Sequence, residues 1–262
     1  MKAILTSHNL MSRTMNSYKT LCTEFYDIDK PNAPEEALNF YLHYAARANG
    51  PILELMSGSG RFLIPLLERQ YDIDGLDASS YMLRACHERC RSRGLTPVLY
   101  EQFLDRLELP RQYSLVMIPA GSFCLITDDL QIKESLQRIY ALMLPGATFV
   151  IEIERLVSKP TDLGLWGGRW VERSDGAKIL ISWLSRYDEA ERISHSIHRY
   201  ELIKDGQLLE TEYEDFDLRF YDPEEFRSLL EVARFKEIKT FKAHQFRAPD
   251  ETDERIIFEC SK

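Results

Sequence analysis

A glycine-rich turn between two acidic residues is the part of the sequence best suited to chemistry. It reads Glu54-Leu55-Met56-Ser57-Gly58-Ser59-Gly60, and Asp77 ends the next apolar run. A glycine turn that joins a strand to a helix lets the backbone approach a ligand closely and points free N–H groups at it. A carboxylate at the end of the next strand can accept hydrogen bonds from both hydroxyls of a ribose. The turn and Asp77 together predict a site for a cofactor that contains a nucleoside.

Two kinds of nucleoside cofactor compete for this site. Dinucleotide folds use the pattern G-x-G-x-x-G, whose third glycine permits tight helix packing over a pyrophosphate, and Leu63 stands at that place here. Glu54 would repel a pyrophosphate but can hold an ammonium group, which favours a cofactor with an amino-acid tail. An NAD(P)-dependent oxidoreductase therefore stays open as an alternative. So does a non-catalytic protein that keeps the cofactor crevice.

Strand and helix patterns alternate around the turn, as they do in strand-helix-strand units. Strand patterns cover 52–55, 71–77, 97–103, 115–119 and 148–154, and two more follow at 237–241 and 255–260. This alternation is typical of parallel sheets covered on both faces. We predict an α/β fold with a Rossmann-like, seven-stranded, mostly parallel sheet and helices on both faces.

The pattern changes after residue 154. Residues 178–187, 193–203 and 207–221 alternate like strands and include the hairpin signal Asp205-Gly206. They predict a small antiparallel β insertion at 155–221 that acts as a substrate lid. Residues 17–154 and 222–262 then form the cofactor-binding core.

Two side-chain groups of the insertion allow more than one interpretation. Trp166 and Trp170 open it, and they either stack on a flat substrate or pack in the core of the small sheet. Glu210, Glu212 and Glu214 alternate along one strand face, and they either attract a cationic amine or form a solvated edge, of which we expect the solvated edge.

The glycine turn resembles motif I of the class I S-adenosylmethionine-dependent methyltransferases, with Met56 at the place of the family's first glycine. The run Asp77-Ala78-Ser79-Ser80-Tyr81-Met82-Leu83 is similar to the family's D-x-S-x-x-M-L, and Leu144-Pro145-Gly146-Ala147 resembles its L-x-P-G-G. The resemblance implies the small-molecule branch of the family. Its members transfer a methyl group from S-adenosylmethionine to an N or O nucleophile by in-line displacement.

The resemblance also implies roles for individual residues. Glu54 and the turn would face the methionine part of the cofactor, and Asp77 would face the ribose. Residues 119–123, at the end of the fourth predicted strand, would lie against the sulfonium. The implied cofactor-binding residues are Tyr26, Glu54, Met56, Ser57, Gly58, Ser59, Gly60, Arg61, Asp77, Ala78, Met82, Phe103, Leu104, Pro119 and Ala120. The candidate substrate residues are Ser122, Phe123, Trp166 and Trp170, and the candidate proton acceptors are His195, His198 and Tyr26.

Composition and charge exclude several other classes of protein. A formal net charge of -9 argues against a nucleic-acid partner, which requires clustered Lys and Arg. No apolar run approaches the about 20 residues that cross a bilayer, and residues 1–15 lack the apolar block of a signal peptide, so we expect a cytoplasmic protein without a membrane partner. Cys86, His87 and Cys90 lie close in sequence, but two of them at most share a helix face, so no metal site is expected.

Overall fold

Eleven strands form two separate sheets in the computed structural model, which describes residues 17–262. The strands are β1 (Ile52–Leu55), β2 (Ile73–Asp77), β3 (Val98–Glu101), β4 (Tyr113–Ile118), β5 (Met143–Glu154), β6 (Trp166–Glu172), β7 (Lys178–Asp188), β8 (Ile193–Lys204), β9 (Gln207–Arg219), β10 (Lys236–Lys242) and β11 (Arg255–Ser261). Their positions confirm the predicted fold class. The segment 1–15, used above to argue against a signal peptide, lies outside the described range.

The larger sheet has seven strands in the order β10-β11-β5-β4-β1-β2-β3. Strands β1 to β5 run parallel, and β11 and β10 complete the sheet in antiparallel pairing. The chain moves outward from β1 through β2 to β3 and then crosses to β4 on the other side of β1. The carboxyl ends of β1 and β4 therefore form the switch point at which open α/β sheets bind ligands.

Six helices accompany the strands: α1 (Thr20–Asp29), α2 (Glu35–Ala45), α3 (Leu63–Glu68), α4 (Ser80–Arg91), α5 (Asp129–Leu142) and α6 (Pro223–Val232). Side chains that accept backbone N–H bonds fix where three of them begin: Ser79 caps α4, Asp128 caps α5 and Asp222 caps α6. Apolar side chains of α2, α3 and α4 pack on one face of the large sheet, and those of α5 and α6 on the other. In the described part of the chain, no helix is long and apolar enough to span a membrane.

The smaller sheet is antiparallel, with the order β6-β7-β8-β9. One of its faces packs on α1, where Leu21 and Phe25 meet Ile179, Ile181 and Tyr200 in a separate apolar cluster. This packing holds α1 between the two sheets. That residues 155–221 act as a substrate lid stays a prediction.

The predicted start of β5 is wrong by five residues. The strand begins at Met143, so Leu144-Pro145-Gly146-Ala147 lies within its span instead of preceding it. Gly146 has a φ of 75°, which a glycine adopts without strain, and the strand continues through it.

Candidate functional site

A cavity of about 330 Å³ opens at the carboxyl ends of the parallel strands. Helix α1 and the end of β9 cover it from the other side. Nine of the residues predicted from the sequence line this cavity: Tyr26, Met56, Gly58, Asp77, Ala78, Met82, Phe103, Leu104 and Ser122. The sequence therefore located one continuous concave surface.

The glycine turn follows β1, and every second residue from 56 to 60 has a left-handed backbone conformation. Met56, Gly58 and Gly60 have φ values of 55°, 54° and 87°. Glycine occupies this region without strain, whereas Met56 is held there although it has a Cβ. A Cβ at Gly60 would lie 2.7 Å from the Cys86 sulfur on α4, so this glycine is required for the turn to pack on that helix.

Asp77 ends β2 at the floor of the cavity. Its two carboxylate oxygens accept N–H bonds of 2.8 Å from Gly58 and from Ser79. Burial raises the pKa of Asp77, and these backbone N–H groups act in the opposite direction. A carboxylate can accept about four hydrogen bonds, so Asp77 keeps acceptor positions for the hydroxyls of a ligand.

Glu54 lies on β1 with a side chain that the protein alone leaves unsatisfied. The residue is 2% exposed, and none of residues 17–262 donates a hydrogen bond to its Oε2. Burial raises the pKa of Glu54 well above the ordinary value, and only the Arg61 charge and a backbone N–H oppose this. A buried acceptor without a hydrogen bond lowers the free energy of unfolding by about 1–3 kcal/mol unless a ligand supplies a donor. The position suits an ammonium group next to the nucleoside.

Tyr26 lies beside the turn and lines the cavity from α1. The Arg61 guanidinium lies 5.1 Å from the centre of the Tyr26 ring, a distance at which the two attract. That Arg61 binds the cofactor stays a prediction. Burial raises the pKa of Tyr26, so its hydroxyl is a weak proton acceptor at neutral pH.

Several predicted cofactor residues support the cavity without lining it. Ser59 donates a hydrogen bond to Asp27 of α1, and Ala120 donates its N–H to Glu152 of β5 over 3.1 Å. The other predicted cofactor residues outside the cavity wall are Glu54, Ser57, Gly60, Arg61 and Pro119. These positions shape the turn and the end of β4 that a ligand would meet.

The structure corrects three of the four predicted substrate residues. Phe123 is fully buried and packs edge-on against Phe226 at 5.8 Å, so it belongs to the core beneath α6. Trp166 and Trp170 lie on the edge strand β6, 57% and 54% exposed, at the opposite side of the small sheet from β9. The alternative of core packing is wrong as well, because cationic side chains cover both rings.

The sequence missed the part of the small sheet that does meet the cavity. Asp215, Phe216 and Asp217 of β9 line it, and Tyr18 lies edge-on to Phe216 at 6.2 Å and to Tyr26 at 6.3 Å. The alternating pattern of 207–221 identified the strand but carried no signal for which end reaches the cavity. Gln102, Asp105, Leu125, Ile126, Thr127 and Gln131 complete the missed wall, together with Ser17 and Leu76.

Two glutamates that we expected to be solvated hold α1 in place. Glu214 is buried and accepts N–H bonds from Tyr18 at 2.9 Å and from Lys19 at 2.6 Å. Glu212 accepts the N–H groups of Thr20 and Cys22. Because Lys19, at the N-cap position, makes no side-chain cap, these carboxylates of β9 satisfy the first turn of α1.

Cysteines and other metal-binding side chains are dispersed. Within residues 17–262, no group of three or more His, Cys, Asp or Glu side chains could hold a metal ion. Cys86 and Cys90 are both buried in the packing of α4.

Comparisons with known proteins agree with this geometry. Residues 52–146 match a protein family described as a methyltransferase domain. The chain is 18% identical over 240 residues to YqeM of Bacillus subtilis (strain 168), a protein assigned by its name to the methyltransferases; the match covers 90% of this chain and 94% of YqeM.

Solved structures share the fold. An S-adenosylmethionine-dependent methyltransferase from Clostridium acetobutylicum superposes with a TM-score of 0.75 at 17% identity, covering 91% of this chain and 96% of that one. The sugar N-methyltransferase KedS8 from Streptoalloteichus gives a TM-score of 0.73 at 15% identity, covering 100% and 99%. Residues 52–146 thus match the methyltransferase-domain family, and the shared fold supports the predicted resemblance to the class I S-adenosylmethionine-dependent methyltransferases.

Proposed function

We propose that the protein methylates the amine nitrogen of a small molecule. S-adenosylmethionine supplies an activated methyl group on a positively charged sulfur. The side chains described above contribute binding, orientation and exclusion of water, which can provide most of the rate of an in-line displacement.

The observation that carries the proposal is the pairing of Glu54 with Asp77 around the glycine turn. Asp77 lines the cavity and can accept hydrogen bonds from ribose hydroxyls. Glu54, at the base of the same turn, has a buried Oε2 without a hydrogen-bond partner among the described residues, and this atom can accept a bond from an ammonium group. A nucleoside joined to an amino acid offers both groups, whereas a dinucleotide places a pyrophosphate near the turn. The residues therefore fit S-adenosylmethionine.

The charge of the cavity wall favours an amine as the methyl acceptor. Its ionisable carboxylates are Asp77, Asp105, Asp215 and Asp217, and none of the described residues that line it is Lys, Arg or His. A negative cavity attracts cations and repels acidic acceptors. KedS8, which shares the fold, is a sugar N-methyltransferase by name, and this agrees with a nitrogen acceptor.

The dimensions of the site favour a small acceptor. Sites for small molecules have volumes of about 300–1,000 Å³, and this cavity is at the lower end of that range. Tyr18, Tyr26 and Phe216 cover it with aromatic rings, which exclude water and suit a positively charged ligand.

Calorimetry with S-adenosylmethionine, S-adenosylhomocysteine and NAD tests the cofactor. We expect both adenosyl ligands to bind and NAD to fail. Asp77→Ala should weaken the adenosyl ligands at least tenfold, because each hydrogen bond to a charged group contributes about 1.5–3 kcal/mol. Asp162→Ala is the matched control, since Asp162 is exposed and does not line the cavity. Binding of NAD, or equal affinity in both variants, would refute the assignment.

A panel of small amines, phenols and carboxylates then tests the acceptor, with formation of S-adenosylhomocysteine as the readout. Turnover of at least one amine, with none for the carboxylates, is the expected result. Turnover confined to phenols would refute the nitrogen acceptor while leaving the methyltransferase assignment intact.

A further inference from the structure

An amine acceptor requires a group that takes up a proton, and this requirement rests on the proposed function. A small aliphatic amine is an ammonium ion at neutral pH and has no lone pair for attack. Burial lowers the pKa of His198 to about 4, which makes it a poor acceptor, and the buried Tyr26 hydroxyl is unsuitable as well. His195 faces Asp217 at 3.0 Å and lies in a separate charged groove beside α6.

The layout of the carboxyl edge restricts where the acceptor can bind. Asp77 on β2 and Phe103 after β3 line the half of the crevice that suits a nucleoside, and Glu54 on β1 suits the amino-acid tail. The ends of β4 and β5 form the other half of the same edge. Space for an acceptor therefore lies toward the turn that follows β4.

Glu154 is the last residue of β5 and lies against that turn. An ideal Cβ at Gly121 would be 3.1 Å from Glu154 Oε1, so the absence of a side chain at Gly121 lets the carboxylate approach the backbone. Gly121 has a φ of 68° and directly precedes Ser122, which lines the cavity. Neither Gly121 nor Glu154 lines the cavity itself, so the half-buried carboxylate lies directly behind the wall at Ser122, on the side left for the acceptor.

The groups around Glu154 leave its carboxylate weakly bound. Ser158 offers its hydroxyl at 3.4 Å, and the nearby cation, Arg255 of β11, is engaged by Glu152 at 3.0 Å. Burial raises the pKa of Glu154 to about 7, with Arg255 opposing and the carboxylates Glu152 and Glu254 reinforcing the rise. The backbone N–H of Glu154 donates a hydrogen bond of 3.2 Å to the sulfur of Cys124, which follows β4.

We propose that Glu154 is the proton acceptor for the amine that is methylated. The N–H bond of the ammonium breaks, its electron pair stays on nitrogen, and the proton forms an O–H bond on the Glu154 carboxylate. The freed lone pair then forms the C–N bond to the methyl carbon as the C–S electron pair leaves with sulfur, and Glu154 returns its proton to solvent.

The test compares Glu154→Gln with wild type on an amine that turns over in the panel. Glutamine preserves the shape against Gly121, so S-adenosylhomocysteine affinity should stay unchanged. We expect kcat/KM to fall about 10²–10⁴-fold, the range for loss of a general base. Wild-type activity should fall as pH drops below about 7, whereas the variant should lack this dependence. Glu251→Gln, which changes an exposed carboxylate outside the groups named around Glu154, is the control and should keep both the rate and the loss of activity at low pH.

A second measurement does not depend on turnover. Infrared difference titration of wild type should show a carboxyl group with a midpoint of about 7 that is missing in Glu154→Gln. Absence of that group from wild type, or an unchanged rate and acid limb in the variant, would overturn the role of Glu154 alone. Failure of every amine with wild-type protein would instead refute the proposed function and, with it, this inference.

Discussion

Replacement of Gly60 by alanine should destabilise the protein through two separable effects. The φ of 87° costs a residue with a Cβ about 1–2 kcal/mol. The added Cβ would also lie 2.7 Å from the Cys86 sulfur and 3.1 Å from Ile64, and overpacking of a closed core costs about 1–3 kcal/mol. Together these terms predict a loss of about 2–5 kcal/mol in the free energy of unfolding, measured by urea denaturation.

Two further variants separate backbone strain from the steric clash. Gly94→Ala has a similar φ of 70° but no neighbour within 4 Å of the new Cβ, so it should show only the strain. In a Cys86→Ala background the obstructing sulfur is absent, and the cost of Gly60→Ala should fall toward that of Gly94→Ala. Equal costs for Gly60→Ala and Gly94→Ala in the wild-type background would refute the argument that this glycine serves the packing of α4.

Three other predictions test the remaining parts of the site. The raised pKa of Glu54 means that the folded protein binds more protons than the unfolded chain, so its stability falls as pH rises above the ordinary range of a glutamate. Glu54→Gln should therefore raise the midpoint of urea unfolding at pH 7, and this gain in stability should vanish near pH 4. In calorimetry the same variant should bind S-adenosylmethionine more weakly than wild type. A loss of stability at pH 7 would contradict the argument. Glu214→Ala should lower the free energy of unfolding by about 1–3 kcal/mol and speed hydrogen exchange at the start of α1, because it leaves two N–H groups without acceptors; unchanged exchange would refute the capping role. Trp166→Ala and Trp170→Ala should leave cofactor affinity and turnover unaltered. A large fall in turnover would show that these tryptophans do contribute to the substrate site.

The sequence predicted the main sheet and much of the cavity wall because both depend on local patterns. Gly58 and Asp77 follow directly from a turn that needs positive φ and from a strand end, and both line the cavity. The order β10-β11-β5-β4-β1-β2-β3 was not predicted, because alternation and right-handed crossovers are equally compatible with other orders of parallel strands.

The covering side of the cavity was not predictable in this way. Its position depends on how β9 meets α1, a contact between segments about 190 residues apart in sequence that is made by Glu212 and Glu214. Alternation shows that these glutamates share a face but carries no information about what that face meets. The prediction that Trp166 and Trp170 bind substrate failed for a related reason. Large aromatic side chains indicate a contact surface, but the sequence does not show what that surface contacts.

Two carboxylates on one face of β5 illustrate how closely spaced groups acquire different chemistry. Burial acts to raise the pKa of Glu152, but its bonds to Arg255 and His244 outweigh burial and hold the pKa below the ordinary value. Glu154 lies two residues further along, at the end of the strand, where Arg255 is already engaged. Glu152 thus remains an anion that anchors the strand, whereas Glu154 can gain and lose a proton near neutral pH. Divergent pKa values in adjacent carboxylates distinguish a group that stabilises the edge of the sheet from one that can exchange protons with a ligand bound there.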